Sequence, residues 1–369
     1  MNSTLGEQKT KDDDRDKIWV TRYSTSGIAY QMPENPVPAI DPNVLQSVFY
    51  IYPDVASAEK ALATGGTGFF AGVPLEANPH MKMIYAVTNW HCIEKSDPRV
   101  ILRVNKKNGE PDCIPTEISD WKPHPDKLDI AATPIMLSPD YEYNFVSSDM
   151  FFVTPETVRH RQIGPGDDVF MVGRFMGHDG KQGNLPTARF GNISRMNSEP
   201  LEDRHGNPQD SFLVEMKSIP GYSGSPVFVY INPTLARPPY FMTPLAHPYN
   251  QAQHGPWLLG IDWSHLSDFH PILLANRQTK KSPQEWVEVN TGMAGVIPAW
   301  RIQELLDLEE FKMQRKEKDD EFSNYSRLAG SPSEDSAGGD HSFTQQDFEA
   351  DLRNVSRKVS PSKSDGETK

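Results

Sequence analysis

Three short patterns in the sequence carry the residue types that acyl-transfer chemistry needs. The first pattern is YAVTNWHC, in which His91 follows an apolar stretch. The second is DKLDIAATPI, in which Asp129 precedes an apolar run. The third is IPGYSGSPVFVYI, in which Ser223 lies in a glycine turn before a strand. A serine hydroxyl is a poor nucleophile until an imidazole accepts its proton, and a buried carboxylate must hold that imidazole in one tautomer. Together the patterns predict His91 as general base, Asp129 as its orienting carboxylate and Ser223 as nucleophile.

Each pattern has an ordinary structural explanation when it is taken alone. A histidine at a strand end is usually structural, a carboxylate before a strand is a common turn residue, and Gly-Tyr-Ser-Gly is an ordinary hairpin turn. The turn has a further property, because glycine on both sides of Ser223 lets the backbone approach a substrate closely. The amides of Gly221 and Ser223 are therefore predicted to form an oxyanion hole.

The motifs TNWHC, DIA and GYSGSP, in the order His, Asp, Ser, resemble those of chymotrypsin-like serine peptidases. The resemblance is closest to bacterial HtrA-like and other trypsin-like peptidase domain proteins, although the polar stretch after residue 308 is not expected to form a PDZ-like domain. It implies an all-β fold of two six-stranded antiparallel β-barrels with a C-terminal helix. His91 and Asp129 would come from the first barrel and Ser223 from the second. An α/β-hydrolase is excluded, because it needs glycine where Ser225 stands and its histidine after the serine.

The resemblance also implies substrate-binding residues. A strand segment that would pair with the substrate backbone as an added strand contains Asp262, Trp263 and Ser264. Lys217, six residues before Ser223, would form the floor of the specificity pocket and favour an acidic side chain. A register that differs by one residue places Met216 or Ser218 there instead.

Some residues depart from the family's pattern. Tyr222 replaces the aspartate that pairs with a newly freed N-terminus in digestive peptidases, so activation by terminal cleavage is not expected. Ser225 replaces the second glycine after the nucleophile. Cys92 is expected to point away from His91 and to be a buried reduced thiol, because neighbouring side chains in a strand-like turn alternate. This argues against Cys92 or Cys113 as an alternative nucleophile.

Composition excludes several function classes. The chain has 369 residues, with 37 Lys and Arg against 50 Asp and Glu, a formal charge of −13, so a general basic surface for nucleic acid is not expected. No run of about eighteen apolar residues and no signal-like start are present, which predicts a cytoplasmic protein that does not enter membranes. Two cysteines cannot make a disulfide framework, and HExxH or zinc-type spacings are absent, so neither metal nor cofactor is predicted.

Short apolar runs recur between turn signals from about residue 44 to 300, which is typical of antiparallel β structure. We predict a leader and Pro-rich linker at 1–43, a peptidase domain at 44–308 and a charged, mostly disordered tail at 313–369. Within the domain we expect the first barrel at about 44–145, the second at about 146–300 and a closing helix at about 298–312. Long insertions interrupt it at 231–256 and 267–290.

Two hypotheses follow for function. The first is a serine endopeptidase that acts on protein or peptide substrates through an acyl-enzyme intermediate. The alternative is a catalytically silent or activator-dependent domain that acts as a peptide-binding or scaffold module. In either case the insertions or the tail are candidate contacts for a regulatory protein.

Overall fold

Two sets of β-strands make up most of the protein. The computed structural model describes residues 40–96, 98–203, 205–231, 255–271 and 286–328. The first sheet contains β1 (Val48–Tyr52), β2 (Gly66–Pro74), β3 (Lys82–Thr88), β4 (Arg99–Lys106), β5 (Pro111–Glu117), β6 (Lys122–Pro123), β7 (Ala131–Pro134), β8 (Tyr141–Glu142) and β9 (Val146–Ser147). Its order is β5-β4-β1-β2-β3-β7-β6, while β8 pairs with β4 and β9 runs parallel to β2.

The second set of strands closes into a barrel. Its strands and an adjoining hairpin are β10 (Asp168–Gly173), β11 (Thr187–Arg195), β12 (Leu201–Glu202), β13 (Pro208–Gln209), β14 (Phe212–Glu215), β15 (Pro226–Tyr230), β16 (Trp257–Pro271) and β17 (Trp286–Pro298). The barrel follows the order β10-β11-β14-β17-β16-β15, and β12 pairs only with β13. From the Ser267–Asn290 pair to the Pro271–Trp286 pair, β16 and β17 continue as a two-stranded ribbon into the segment predicted as the second insertion.

The predicted all-β class is confirmed, and the second barrel has the expected six strands. The first sheet is open at β5 and β6 instead of closed, and it gathers nine strands. Proline explains these edges, because it has no N–H to donate to a further strand. Pro111 and Pro115 lie in β5, and β6 ends at Pro123.

Helices are few and mostly short. They are α1 (Pro42–Leu45), α2 (Val55–Glu59), α3 (Ser148–Phe151), α4 (Pro155–Arg161), α5 (Ala299–Leu306) and α6 (Glu309–Leu328), with 3₁₀ turns at Trp90–Cys92 and Ile118–Asp120. No helix in the described part of the chain is long and apolar enough to cross a membrane.

One apolar core joins the two sets of strands. It includes Phe69 and Val87 of the first sheet, Phe228 and Ile261 of the barrel, and Ile302 of α5. Separate cores fill the barrel and the inside of the first sheet. The shared core fixes the first sheet against the barrel, so residues from both can form one site.

Helix α6 extends well past the predicted end of the closing helix at 312. The Phe311 ring packs edge-on against Tyr85 at 5.1 Å, and Arg315 Nη1 donates to the Tyr85 hydroxyl at 3.0 Å. The Asp319 carboxylate accepts two main-chain N–H groups from the loop after β2. Arg315 and Asp319 belong to the stretch predicted as a charged, mostly disordered tail, but both are buried because the first sheet offers them polar partners.

Several predictions concern residues outside those that the structure describes. They are the leader up to residue 39, most of the first insertion, the centre of the second insertion, and the tail beyond 328.

Candidate active site

His91 lies in the 3₁₀ turn that follows β3 and faces Asp129 in the loop before β7. His91 Nδ1 is 2.5 Å from Asp129 Oδ2, and the His91 main-chain N–H donates to Asp129 Oδ1 at 2.9 Å. One carboxylate thus contacts both the ring and the backbone of the histidine. In a neutral ring this arrangement puts the hydrogen on Nδ1 and leaves Nε2 able to accept a proton.

Two further amides hold the Asp129 loop. Asn89 Nδ2 donates to the Asp129 carbonyl at 2.7 Å, and the Asp129 N–H donates to Gln209 Oε1 at 2.8 Å. Gln209, in β13, also donates through Nε2 to the Lys127 carbonyl at 3.2 Å, and it is fully buried. Sequence reasoning missed both residues. Asn89 stood in the TNWHC motif, but Gln209 had no local signal, since it lies 80 residues from Asp129.

Ser223 lies in the turn between β14 and β15, two strands of the barrel. The turn is closed by the Tyr222 N–H, which donates to the Ile219 carbonyl at 3.1 Å, and the Ser225 N–H, which donates to the Tyr222 carbonyl at 2.8 Å. Gly221 has φ +104° and Gly224 has φ +88°. A Cβ atom on Gly224 would collide with the Thr67 carbonyl, so this position requires glycine.

The predicted oxyanion donors have no acceptor in the part of the chain that the structure describes. The carbonyls of Gly221 and Ser223 are both bonded to Thr67, at 2.6 Å and 2.9 Å. Among the described residues, no hydrogen bond is donated by the N–H of Gly221 or of Ser223. The N–H of the serine itself and the N–H two residues before it are a suitable pair of donors for a developing oxyanion.

The Ser223 hydroxyl makes no hydrogen bond with His91 within the described chain. Cys92 lies between the two residues, with its Sγ 3.6 Å from His91 Nε2 and 3.7 Å from the Ser223 carbonyl oxygen. The expectation that Cys92 points away from His91 was wrong. A 3₁₀ turn has about three residues per turn, so neighbouring side chains do not alternate as they do in a strand. Cys92 and Cys113 are both free thiols, and both are half-buried.

The neighbours of His91 govern its charge. Desolvation lowers the pKa of His91, but electrostatic attraction to Cys92 and hydrogen bonds with Asp129 and Cys92 outweigh it and raise the pKa to about 11. These neighbours therefore favour the protonated form of the ring.

The residues predicted to bind substrate lie in different surroundings. Lys217 is exposed, whereas Ser218 is buried and donates through Oγ to Asp262 Oδ2 at 2.8 Å. Asp262 is fully buried, and its Oδ1 has no partner within the described structure. Burial raises the pKa of Asp262 to about 7, although the Ser218 hydroxyl and the charge of His91 favour the ionised form.

The backbone of Asp262, in β16, is hydrogen-bonded to the Ser223 turn. Its N–H donates to the Ser225 carbonyl at 2.9 Å, and its carbonyl accepts from the Gly224 N–H at 2.8 Å. Trp263 is buried, with Nε1 donating to Ser211 Oγ at 3.0 Å. Ser264, the next residue of β16, is half-buried.

Tyr222 and Ser225, the two residues of the turn that depart from the family's pattern, both lie against other residues of the barrel. The Tyr222 ring is buried in the barrel core, its hydroxyl bonds the Thr187 hydroxyl, and the Arg189 guanidinium covers the ring at 4.7 Å. The partners of the Tyr222 side chain therefore come from the barrel itself. The Ser225 side chain points towards β10, where a Cβ atom on Gly173 would collide with its Oγ.

One described group of side chains has the spacing of metal ligands: His124, Asp126 and Glu304. His124 Nδ1 accepts a hydrogen bond from the Asp126 N–H at 3.1 Å, so a neutral ring carries its hydrogen on Nε2, the atom facing Glu304. Arg301 already pairs with Glu304 at 2.5 Å and lies 3.6 Å from Asp126. These side chains fit an ion-pair network better than a cation site.

Residues 66–230 match the family model described as a trypsin-like peptidase domain, and the match spans His91, Asp129 and Ser223. The match confirms the predicted resemblance to trypsin-like peptidase domains over these residues. A comparison with curated proteins finds no match.

Three solved structures are similar at low identity. The MamO protease domain from Magnetospirillum magneticum, in its apo form, is 17% identical with a TM-score of 0.42, covering 72% of this chain and 98% of that one. Deg5 is 15% identical with a TM-score of 0.36, covering 60% and 81%. An inactive serine-to-alanine mutant of Rv3671c from M. tuberculosis H37Rv is 18% identical with a TM-score of 0.35, covering 73% and 94%.

Proposed function

We propose that this protein is a serine endopeptidase. The observation that supports the proposal best is the double contact of Asp129 with His91, made beside a turn in which the N–H groups of Gly221 and Ser223 have no acceptor among the described residues. This arrangement supplies an oriented base, a nucleophile and oxyanion donors, the three parts that acyl transfer needs.

In the proposed reaction, the Ser223 hydroxyl oxygen attacks the carbonyl carbon of a peptide bond while His91 Nε2 takes the hydroxyl proton. The amides of Gly221 and Ser223 stabilise the oxyanion that forms. The C–N bond then breaks, and the amine leaves with the proton from His91. Water adds to the resulting ester with the same base, which releases the carboxylic acid and restores Ser223.

An activator-dependent or silent domain is the second candidate. It is favoured by the position of Cys92, whose thiol contacts the nitrogen that must accept the serine proton. In this candidate the domain binds peptides at rest, and a change that brings the Ser223 hydroxyl to His91 starts hydrolysis. The proposed substrate is a protein or peptide in the cytoplasm, and a regulatory protein would contact the insertions or the tail.

The experiment is hydrolysis of unfolded casein, with new N-termini identified by mass spectrometry. The parent protein, Ser223→Ala and His91→Ala are compared at pH 7 and pH 9, with Met150→Ala, an exposed side chain in α3, as control. The endopeptidase proposal expects internal cleavage by the parent and Met150→Ala only. Cleavage that persists in Ser223→Ala would contradict it. Binding of casein without cleavage at either pH would favour the second candidate.

A further inference from the structure

Thr67, in β2 of the first sheet, contacts the Ser223 turn of the barrel through three of its atoms. Its N–H donates to the Ser223 carbonyl at 2.9 Å, and its Oγ1 donates to the Gly221 carbonyl at 2.6 Å. Its carbonyl oxygen packs so tightly against Gly224 that no Cβ atom fits there. Thr67 is fully buried, so these contacts do not compete with water.

The Thr67 hydroxyl has a defined direction. The Arg174 main-chain N–H donates to Thr67 Oγ1 at 3.0 Å, so the hydroxyl accepts from Arg174 and its single hydrogen is directed to Gly221. A hydroxyl with one donor and one acceptor fixed in this way cannot rotate without losing a bond. The result is a short relay from Arg174 through Thr67 to Gly221.

The Arg174 side chain is itself anchored on β1, on the loop before β2 and on the loop after β10. Its guanidinium donates to the Leu62 carbonyl at 2.5 Å, to the Thr64 carbonyl and to the Asp179 carboxylate, and it lies over the Tyr52 ring at 4.2 Å. The side chain is fully buried. The backbone N–H at the start of the relay is therefore held in one place relative to Thr67.

The peptide that Thr67 holds lies between the two predicted oxyanion donors. The Gly221–Tyr222 peptide separates the Gly221 N–H from the Ser223 N–H, and its own N–H is bonded to the Ile219 carbonyl. Rotation of this peptide would turn one donor away from the other. Glycine presents little steric barrier to such a rotation, so the restraint must come from hydrogen bonds.

We infer that Thr67 is a positioning residue for the oxyanion hole: its hydroxyl holds the Gly221–Tyr222 peptide so that both donors face one point. This inference rests on the proposed function and assigns to a residue of the first sheet the role of holding the turn in place. It does not make Thr67 a catalytic residue, since the hydroxyl is committed to Gly221.

The test compares Thr67→Val, which removes the hydroxyl, with Thr67→Ser, which keeps it. Thr133→Val is the matched control, because Thr133 is also a buried threonine of the first sheet and lacks contact with the turn. With a chromogenic peptide ester, Thr67→Val should lower kcat about 10- to 100-fold while KM changes less than about 3-fold. Thr67→Ser and Thr133→Val should stay within about 3-fold of the parent.

Amide hydrogen exchange at Tyr222 supplies a readout that does not depend on activity. It should speed up in Thr67→Val and not in Thr67→Ser, because the Tyr222 N–H bond depends on the same peptide. If the parent hydrolyses nothing but this exchange pattern is seen, the proposed function fails and the positioning role stands. A parent-like kcat and parent-like exchange in folded Thr67→Val would overturn the inference. An equal fall in kcat in Thr67→Val and Thr67→Ser would also overturn the inference.

Discussion

The Sγ atom of Cys92 lies 3.6 Å from Nε2 of His91, on the side of the ring opposite to Asp129. In this arrangement a thiol contacts the nitrogen that, in the proposed reaction, accepts the proton of Ser223. The contact helps to raise the pKa of His91 to about 11, and a protonated imidazole cannot act as a base. Cys92 is thus expected to set the pH at which the site becomes active.

The first prediction concerns Cys92→Ala. Cys92 raises the pKa of His91, so its removal lowers that pKa, and the base becomes neutral at lower pH. Peptide-ester hydrolysis by the parent should rise only at alkaline pH, and the rise should move by about one pH unit or more towards neutrality in the variant. The pH dependence of kcat/KM measures this shift. Cys113→Ala, a half-buried thiol in β5, is the control, and identical profiles for all three proteins would refute the prediction.

The second prediction concerns Gln209→Ala. Gln209 holds both the Asp129 N–H and the Lys127 carbonyl, so its loss should let the Asp129 loop move away from His91. We expect kcat to fall about 10-fold or more, because small displacements of an orienting group are costly in catalysis. Steady-state kinetics would measure the effect, with Gln46→Ala as a control, since that amide bonds an exposed glutamate. A parent-like kcat in a folded Gln209→Ala variant would contradict the predicted role of Gln209.

The third prediction concerns the contact between Gly173 and Ser225. A Cβ atom at position 173 would collide with Ser225 Oγ, so Gly173→Ala should destabilise the protein by about 2 kcal/mol. Adding Ser225→Gly should recover most of that loss by removing the colliding atoms. Chemical denaturation of the two single variants and the double variant measures the coupling. Additive losses would show that the two positions are independent.

Sequence reasoning succeeded where the signal is local. The glycine turn around Ser223, the strand that ends before His91, and the carboxylate at Asp129 are each marked by neighbouring residues, and the structure brings His91 and Asp129 into contact. The apolar runs likewise mark the strands, since alternation and turn residues leave a trace in a few consecutive positions.

The remainder depends on partners far apart in the chain. Thr67 and Gly221 are separated by 154 residues, and Arg315 and Tyr85 by 230, so no local pattern reports these bonds. No local pattern therefore indicates that part of the charged face of α6 is buried. The direction of Cys92 was missed because a 3₁₀ turn cannot be told from a strand end by one short motif.

The fourth prediction concerns Asp262→Asn. Burial raises the pKa of Asp262 to about 7, so between about pH 4 and pH 7 the folded state keeps a proton that the unfolded state releases. The stabilising contribution is complete below the unfolded pKa and is lost as the pH rises through the folded pKa. The asparagine side chain of the variant carries no such proton, so the Tm of the parent relative to Asp262→Asn should fall by about 5 °C between pH 5 and pH 8.

Differential scanning calorimetry at the two pH values measures that difference. Asp268→Asn is the matched control, because Asp268 is an exposed aspartate on the same strand and its removal should not change the pH dependence. A parent and Asp262→Asn whose Tm values move in parallel would contradict the prediction.

The most direct test of the proposed peptidase site is reaction with a fluorophosphonate, followed by intact mass. The parent and Ser223→Ala are incubated with the probe at pH 7 and pH 9, and the labelled residue is located by peptide mapping. We predict one adduct on Ser223 in the parent, formed faster at pH 9, and no adduct in Ser223→Ala. A folded parent that takes up no probe at either pH, or that is labelled equally in Ser223→Ala, would contradict the account.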